Sequence, residues 1–362
     1  MDILSNIFSK EVKISHPKKL NFSLVPAAGY AMHTGWAGII TGNVGFYNGD
    51  NVGGLQKISS LLVDVTYTAN KQVMVPFYAN IWTKNNKYNI LIDHRFIKYP
   101  SKVFGIEDMR EIADGYFVDY NGMKLHQTIL RTVAPNLYLG LGYYFDALCN
   151  IRELNPPAQF TTAFQEYGLQ SKATAAGPVL QVLYDTRLST INPLEGFYAS
   201  LAYRNNISWM GSQSHWQGIQ LDIRKYIRFP SNTSNTLAFW NLNWFTINGR
   251  PPFLMLPSNG WDDSYNSGRG YIQGRFRGRN MRYYETEYRF SITRDGLLGG
   301  TLFVNGQTFS SQTFKKYVSL KTGYGIGLRV KLNKFSGANI CIDYGFGKNG
   351  SRGFAVNLGE IF

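Results

Sequence analysis

From Asn280 to Ile292 the side chains alternate with period two. Arg282, Tyr284, Thr286, Tyr288, Phe290 and Ile292 fall on one side, and Tyr283, Glu285, Glu287 and Arg289 on the other. A strand alternates this way when its two faces meet different surroundings. Val318 to Leu332 repeats the pattern: Val318, Leu320, Thr322, Tyr324, Ile326, Leu328, Val330 and Leu332 oppose Ser319, Lys321, Gly323, Gly325, Gly327, Arg329 and Lys331. The same period marks strands at Asn21 to Tyr30, Gly35 to Tyr47, Ile58 to Ala69, Gln72 to Thr83, Lys87 to Tyr99, Gly122 to Val133, Asn136 to Asp146 and Thr174 to Asp185. Further segments are Gly196 to Asn206, Ser214 to Arg228, Asn235 to Asn248, Leu297 to Thr308, Gly337 to Gly345 and Gly353 to Phe362. The total is sixteen, an even number, in segments of about ten residues separated by turn residues, which is the pattern of a membrane β-barrel. A soluble sandwich would also alternate, but its apolar face would be limited by the width of a core. Here the apolar face is long, aromatic at intervals, and opposed by glycines and cations, which suits lipid outside and a polar lumen inside.

The connections are unequal. Tight turns such as Asn70-Lys71 and Ala134-Pro135 alternate with long links at Pro100 to Gly115, Ala147 to Ala173 and Asn248 to Arg279. Short turns at one end and long loops at the other are the habit of bacterial outer-membrane barrels. The expected fold is all-β: a sixteen-stranded antiparallel transmembrane barrel over residues 21–362, preceded by a short periplasmic or lumenal segment, residues 1–20. Met1, Ile3, Leu4, Ile7 and Phe8 make the start of that segment apolar, but no secretory signal is visible between Met1 and Leu20.

Composition agrees. Aromatic residues reach 15%, glycines number 37, and charged residues make up only 17% of 362, a balance that favours strands and interfacial rings over helices. The formal net charge of +14 would serve nucleic acid, anionic lipid or a polar lumen alike. Cys149 and Cys341, expected in a loop and on a strand face, provide neither metal spacing nor a disulfide framework.

The longest loop ends in Ser267, Gly268, Arg269, Gly270 and Tyr271, and a basic run continues to Arg279. Its position before the twelfth strand suggests a loop folded back beside that strand. An enclosed Arg269 needs a carboxylate. Glu285, Glu287 and Arg289 share the inward face of strand twelve, so Arg269 is expected to pair with Glu287.

These residues resemble the bacterial surface antigen superfamily of BamA-like assembly barrels and two-partner secretion transporters. Gly268, Arg269, Gly270 and Tyr271 match its Arg-Gly-Phe/Tyr signature between strands eleven and twelve. Tyr184, Asp185, Thr186, Arg187, Pro193 and Gly196 are similar to its mid-barrel turn. Gly299, Gly300, Phe303, Val304, the Gly-x-Gly-x-Arg of Gly325 to Arg329, and Phe362 extend the match. The resemblance implies a loop inside the lumen whose arginine meets acids on strands twelve and thirteen. Asn305 stands where many relatives carry the second acid; it can still accept a hydrogen bond but adds no charge. Relatives usually carry periplasmic POTRA domains, for which twenty residues are too few, so the likeness is to a barrel-only branch whose client contacts come from separate periplasmic or lipoprotein subunits.

The likeness implies an outer-membrane location and a role in protein assembly or translocation. Strands one and sixteen, with Gly29, Gly353 and Phe362, form the candidate seam at which a client strand would add; crowded glycines there fit a soft seam or tight curvature alike. A structural subunit of a larger complex and a loop-gated pore are the alternatives. His16, His33, His94, His126 and His215 show no ligand spacing, Gly211 to His215 lacks the last glycine of a nucleophile elbow, and Gly347 to Gly353 lacks P-loop spacing. No enzyme, metal site or cofactor is expected. Arg269, Arg275, Arg277 and Arg279 with Tyr271 and Phe276 read as lumenal charge compensation, not a nucleic-acid surface. Lipid head groups, lipopolysaccharide included, are the expected partners of the rim cations.

Overall fold

Each expected segment is a strand in the computed structural model, which describes residues 21–48, 56–106, 114–159, 161–310, 317, 319–332 and 338–362. The expected segment 1–20, Val318 and Gly337 lie outside the described residues. In chain order the strands are β1 (Asn21–Ala31), β2 (Gly35–Phe46), β3 (Ser59–Thr68), β4 (Val73–Trp82), β5 (Tyr88–Lys98), β6 (Tyr116–Ala134), β7 (Leu137–Leu154) and β8 (Lys172–Asp185). They continue as β9 (Gly196–Asn206), β10 (Trp216–Arg228), β11 (Thr236–Gly249), β12 (Asn280–Ser291), β13 (Leu298–Phe309), β14 (Lys321–Lys331), β15 (Asn339–Gly347) and β16 (Arg352–Leu358). Every strand pairs antiparallel with the next, and β1 meets β16 to close the barrel. A further short strand, Ser101–Val103, adds to the end of β6.

The alternation predicts the faces correctly. On β14, Tyr324, Ile326 and Leu328 are exposed while Gly323, Gly325 and Arg329 are buried. On β12, Tyr284 is exposed between buried Tyr283 and Glu285. Among the described residues no helix is long and apolar enough to cross a membrane; the strands supply the apolar exterior.

Two strands are longer than their periodicity suggests. β6 starts at Tyr116 and β7 runs to Leu154, so Cys149, expected in a loop, lies in a strand. Both cysteines are free. The alternation fails there because Tyr116, Val118, Asp119 and Tyr120 are all buried. Tyr116, Val118 and Tyr120 enter a cap at the long-loop end together with Phe164 and Tyr167 of α1 (Ala163–Gly168), and with Phe253 and Leu256, while Asp119 pairs with Lys98 and Arg152. Thr162 and Gln165 close a capping box at the start of α1, which satisfies backbone donors that a helix this short would otherwise leave open.

The three long links emerge at one end, as expected. The tight Asn70-Lys71 turn is at that same end, however, and Ala134-Pro135 is at the other, because successive connections alternate between ends. Both hairpins beside the closure, β1–β2 and β15–β16, are also short, so the long-loop rim is lowest at the seam.

Candidate functional site in the barrel interior

Residues 250–279 connect β11 to β12 and first fold on themselves. Asn259 bridges the two arms, donating to the Ile272 carbonyl (2.9 Å) and accepting from the Phe276 amide (2.8 Å). Asp262 accepts from the amides of Ser267 (2.8 Å), Ser264 and Asn266 (both 3.2 Å). The cap holds the base: the Tyr167 hydroxyl donates to the Pro251 carbonyl (2.8 Å) and Phe164 stacks on Phe253 at 4.4 Å. Arg277 is buried there, donating to the Phe253 carbonyl (3.0 Å), and burial pushes its pKa down to about 10.

The tip presents Arg269. Gly268 and Gly270 on either side have φ of 84° and 94°, a backbone region that L side chains adopt at a cost. A β-carbon on Gly270 would also lie 2.8 Å from the Phe346 carbonyl. The turn therefore packs backbone to backbone against β15.

From that turn the Arg269 guanidinium donates to Glu285 and Glu287 of β12 and, at 2.8 Å, to Asp343 Oδ2 of β15. Its carbonyl accepts from Asn305 Nδ2 (3.0 Å), and its guanidinium lies 3.7 Å from the ring centre of Phe303. Because Tyr284 and Leu302 on the same strands are exposed outward, these contacts are made from inside the barrel. Burial opposes the Arg269 cation, but Glu285, Glu287 and Asp343 outweigh it and hold its pKa well above the ordinary arginine value.

The carboxylates are shared. Arg289 donates to Glu287 (2.6 Å), and Arg329 to Asp343 (2.6 Å) and Glu360 (2.9 Å). The expected Arg269–Glu287 pair is thus present inside a larger network, and Asp343 is a member that periodicity did not single out. Asn305, expected to accept a hydrogen bond, instead donates one to the loop backbone through Nδ2, because the group that faces it is the Arg269 carbonyl.

The sequence profile described as the Omp85 superfamily domain matches residues 57–362. The chain belongs to the Omp85 superfamily. Solved structures share the fold. BamA from Haemophilus ducreyi lacking POTRA domains 1-3 aligns with a TM-score of 0.61 and 16% identity, over 97% of this chain and 75% of that one. CdiB from Acinetobacter baumannii gives 0.58 and 16%, over 95% of this chain and 60% of that one. CdiB from Escherichia coli gives 0.58 and 9%, over 98% and 68% respectively. No curated protein matches the sequence. An Omp85 barrel lies in the bacterial outer membrane and crosses it with strands, so the outer face described above is the lipid face.

The same loop of the Omp85 barrel reaches the opposite wall. Asp263 meets Lys124 of β6 at 3.1 Å, and the Asp263 carbonyl accepts from Arg95 of β5 (2.8 Å). The Tyr99 hydroxyl donates to Gln273 (2.8 Å). Lys124 holds the Asp263 carboxyl well below the usual carboxylate range. The loop therefore bridges the lumen between two anchors, only one of which was expected.

The residues singled out at the mid-barrel turn lie close together. Arg187 grips Asp185 with two bonds of 2.9 Å and lies 4.3 Å from the Tyr198 ring centre, while Pro193 is buried and a β-carbon on Gly196 would lie 3.0 Å from the Arg187 Cα. At the seam, Gly29 lies beside the Val356 carbonyl and Gly353 against Met32. Phe362 does not belong there, a correction to the expected seam. The strand ends at Leu358, Gly359 turns with φ 88°, and Phe362 packs inside on Trp240 at 5.2 Å and beneath Arg289 at 5.1 Å. There the ring is buried against a tryptophan and an arginine, contacts that stabilise the inward position.

Proposed function

We propose that this Omp85 barrel acts in outer-membrane protein assembly or translocation by opening between β1 and β16. The observation that carries the reading is the closure itself. Among the described residues β1 and β16 pair only at Tyr30 opposite Val356. On their other sides, β1 pairs with β2 from Asn21 to Ala31, and β16 with β15 from Arg352 to Leu358. A strand edge with unused donors and acceptors is a template for an incoming strand. On the lipid side the seam is latched by side chains: Tyr30 stacks on Phe354 at 4.0 Å, with Trp36 set edgewise against both. A side-chain latch opens at less cost than a full ladder of hydrogen bonds.

In this reading separate periplasmic or lipoprotein subunits deliver the client. Lipid or lipopolysaccharide head groups neighbour the rim cations, and the Arg269 network fixes the wall formed by β12 to β15 while the seam moves. The test is a lock. With Cys149 and Cys341 replaced, Tyr30→Cys and Val356→Cys place two thiols on directly opposed residues, a spacing of about 4.5–5.5 Å that suits a disulfide. Oxidation should abolish complementation of the deletion strain and reductant should restore it. Full complementation by the locked barrel would rule the mechanism out and leave a structural subunit or a loop-gated pore. Purification in mild detergent should return the delivering subunit; a solitary barrel would count against delivery in trans.

A further inference from the structure

On the outside of the barrel, at its long-loop end, one register row crosses β5 to β8 through Lys98, Asn121, Cys149 and Lys172. Its direction is fixed by the neighbours: Tyr99 and Ala173 are buried in the cap, so Lys98 and Lys172 point outward, and both are exposed. One step nearer the loops, Asp119 of β6 stands opposite Arg152 of β7. Arg152 donates to Asp119 at 2.9 Å, and Lys98 meets the same carboxylate at 3.2 Å. The acid is buried beneath two exposed cations. Lys98, Arg152 and Lys172 thus surround one carboxylate, which leaves an excess of positive charge on a patch three inter-strand spacings, about 14 Å, wide.

Below the patch the same face turns apolar. The next row is Phe96, Met123 and Ala147, and Leu125 and Phe145 follow; lipid chains meet this stretch. Over it the β9–β10 connection leaves the sheet as a single turn, Ser208–Met210. The turn lies on the outer wall, for the Tyr143 hydroxyl donates to the Met210 carbonyl (2.9 Å) and Gly211 rests against Ala176 and Phe145. Its two ends are tied to β8, the Ile207 amide donating to the Ala176 carbonyl (2.9 Å) and the Gln213 amide to the Thr174 carbonyl (3.0 Å). Lys172 follows on the same face, one turn of the pleat nearer the loops. Trp209, carried by the turn, is 81% exposed. An indole held just below a lysine on the lipid side marks the boundary between chains and head groups.

Cations above, an indole at the boundary and an apolar wall beneath fit an anionic lipid. Arginine and lysine both suit phosphate, the first as a fork and the second as a point charge. Three cations spread over four strands match a broad head group with a phosphate at each end better than a small one with a single phosphate. We propose that the outer wall over β5 to β9 binds a diphosphorylated glycolipid of the outer leaflet, with its phosphates on Lys98, Arg152 and Lys172 and the start of its chains against Trp209. The site rests on the head-group contact proposed above and locates it. Lipid binding is read on the purified barrel, where the disulfide lock has no part, so either can fail without the other.

The full chain, folded in lauryldimethylamine oxide, is titrated with diphosphoryl lipid A, and bound lipid is counted by native mass spectrometry. Dephosphorylated lipid A and phosphatidylglycerol are the comparisons. Saturable binding of diphosphoryl lipid A is expected, tighter than either. Arg152→Gln and Lys172→Gln should each weaken it about tenfold, the scale of one hydrogen bond to a charged group. Arg282→Gln, which removes an exposed cation on the outward side of β12, should leave it unchanged. Heat-dependent gel mobility shows that each variant has folded; should one fail, the other carries the comparison. Trp209→Phe should remove the tryptophan quenching that bound lipid A with brominated chains produces, and quenching that persists would overturn the place given to the chains. Equal affinity for the dephosphorylated lipid would overturn the proposal, as would unchanged affinity in Arg152→Gln and Lys172→Gln. An equal loss in Arg282→Gln would reduce the site to rim charge at large. Phosphatidylglycerol bound as tightly would reject the diphosphorylated class. Displacement by inorganic phosphate alone would reassign the patch to a soluble anion, and displacement by a polyglutamate peptide to an acidic protein segment.

Discussion

The loop between β11 and β12 is fastened to the barrel at two places by opposite means. At Arg269 the partners are dry: the arginine side chain is 7% exposed, Glu285 and Glu287 are 0%, and Asp343 is 3%. At Asp263 the partners are wet, for that side chain is 70% exposed and Lys124 is 20%. Both are ion pairs of similar length between the loop and the wall. Removing one partner of a buried pair leaves an uncompensated charge, whereas water replaces a lost partner at an exposed one. Burial, not the number of contacts, makes one anchor structural and the other adjustable.

The largest effect is therefore expected from Arg269→Ala. It leaves Glu285 buried without a cation and takes from Glu287 and Asp343 one of the arginines each holds, while Arg289 and Arg329 stay in place; the expected loss is about 3–5 kcal/mol. Denaturant titration of the folded barrel in micelles should report it as a lower midpoint with unchanged slope. Arg269→Lys keeps the charge but not the fork that spans β12 and β15, and should lose about 1–3 kcal/mol. Equal stability of Arg269→Ala and the parent chain would show that the carboxylates find other partners and that the dry anchor is not structural.

Next in size is the turn that carries the arginine. Gly270→Ala places a β-carbon 2.8 Å from the β15 backbone at a φ of 94°. The expected loss is about 1–3 kcal/mol, together with partial release of the loop, read as protease cleavage between Ser267 and Arg279 in intact cells. A resistant loop in the variant would mean that the cap around Phe253 and Tyr167 holds it unaided.

The two anchors also differ in how far the sequence announced them. The wall was legible because lipid and lumen impose period two on every strand, and Arg269 with Glu287 followed from an arginine beside an alternating acidic face. Asp343 did not. It reaches Arg269 by spanning β13 and β14, across a floor made by Phe303 and bare glycines, and such through-lumen proximity leaves no trace in local periodicity. The Asp263 anchor was hidden for the same reason, since Lys124 lies far back in the chain on β6. Phe362 was misplaced because alternation was carried through Gly359, where φ turns positive and the strand ends. The ends of β6 and β7 were missed where both faces are covered and alternation stops.

The smallest effect belongs to the wet anchor. Lys124→Asp should cost the loop about 0.2–1 kcal/mol through its bond to Asp263, in addition to what it costs locally beside Asp93. Asp263→Lys in the same chain should recover the loop's share. The sign with pH follows from the lowered Asp263 pKa: its contribution is full above the ordinary aspartate value and is lost as pH falls through the depressed one. Salt provides the sharper contrast. At 1 M the screening length falls to about 3 Å, so proteolysis of the loop tip should rise with salt in the parent chain near Asp263 while the Arg269 turn stays protected. Equal salt sensitivity at both positions would remove the distinction between a dry and a wet anchor. A salt-insensitive Asp263 would show that the backbone bond from Arg95, and not the Lys124 pair, holds that side of the loop.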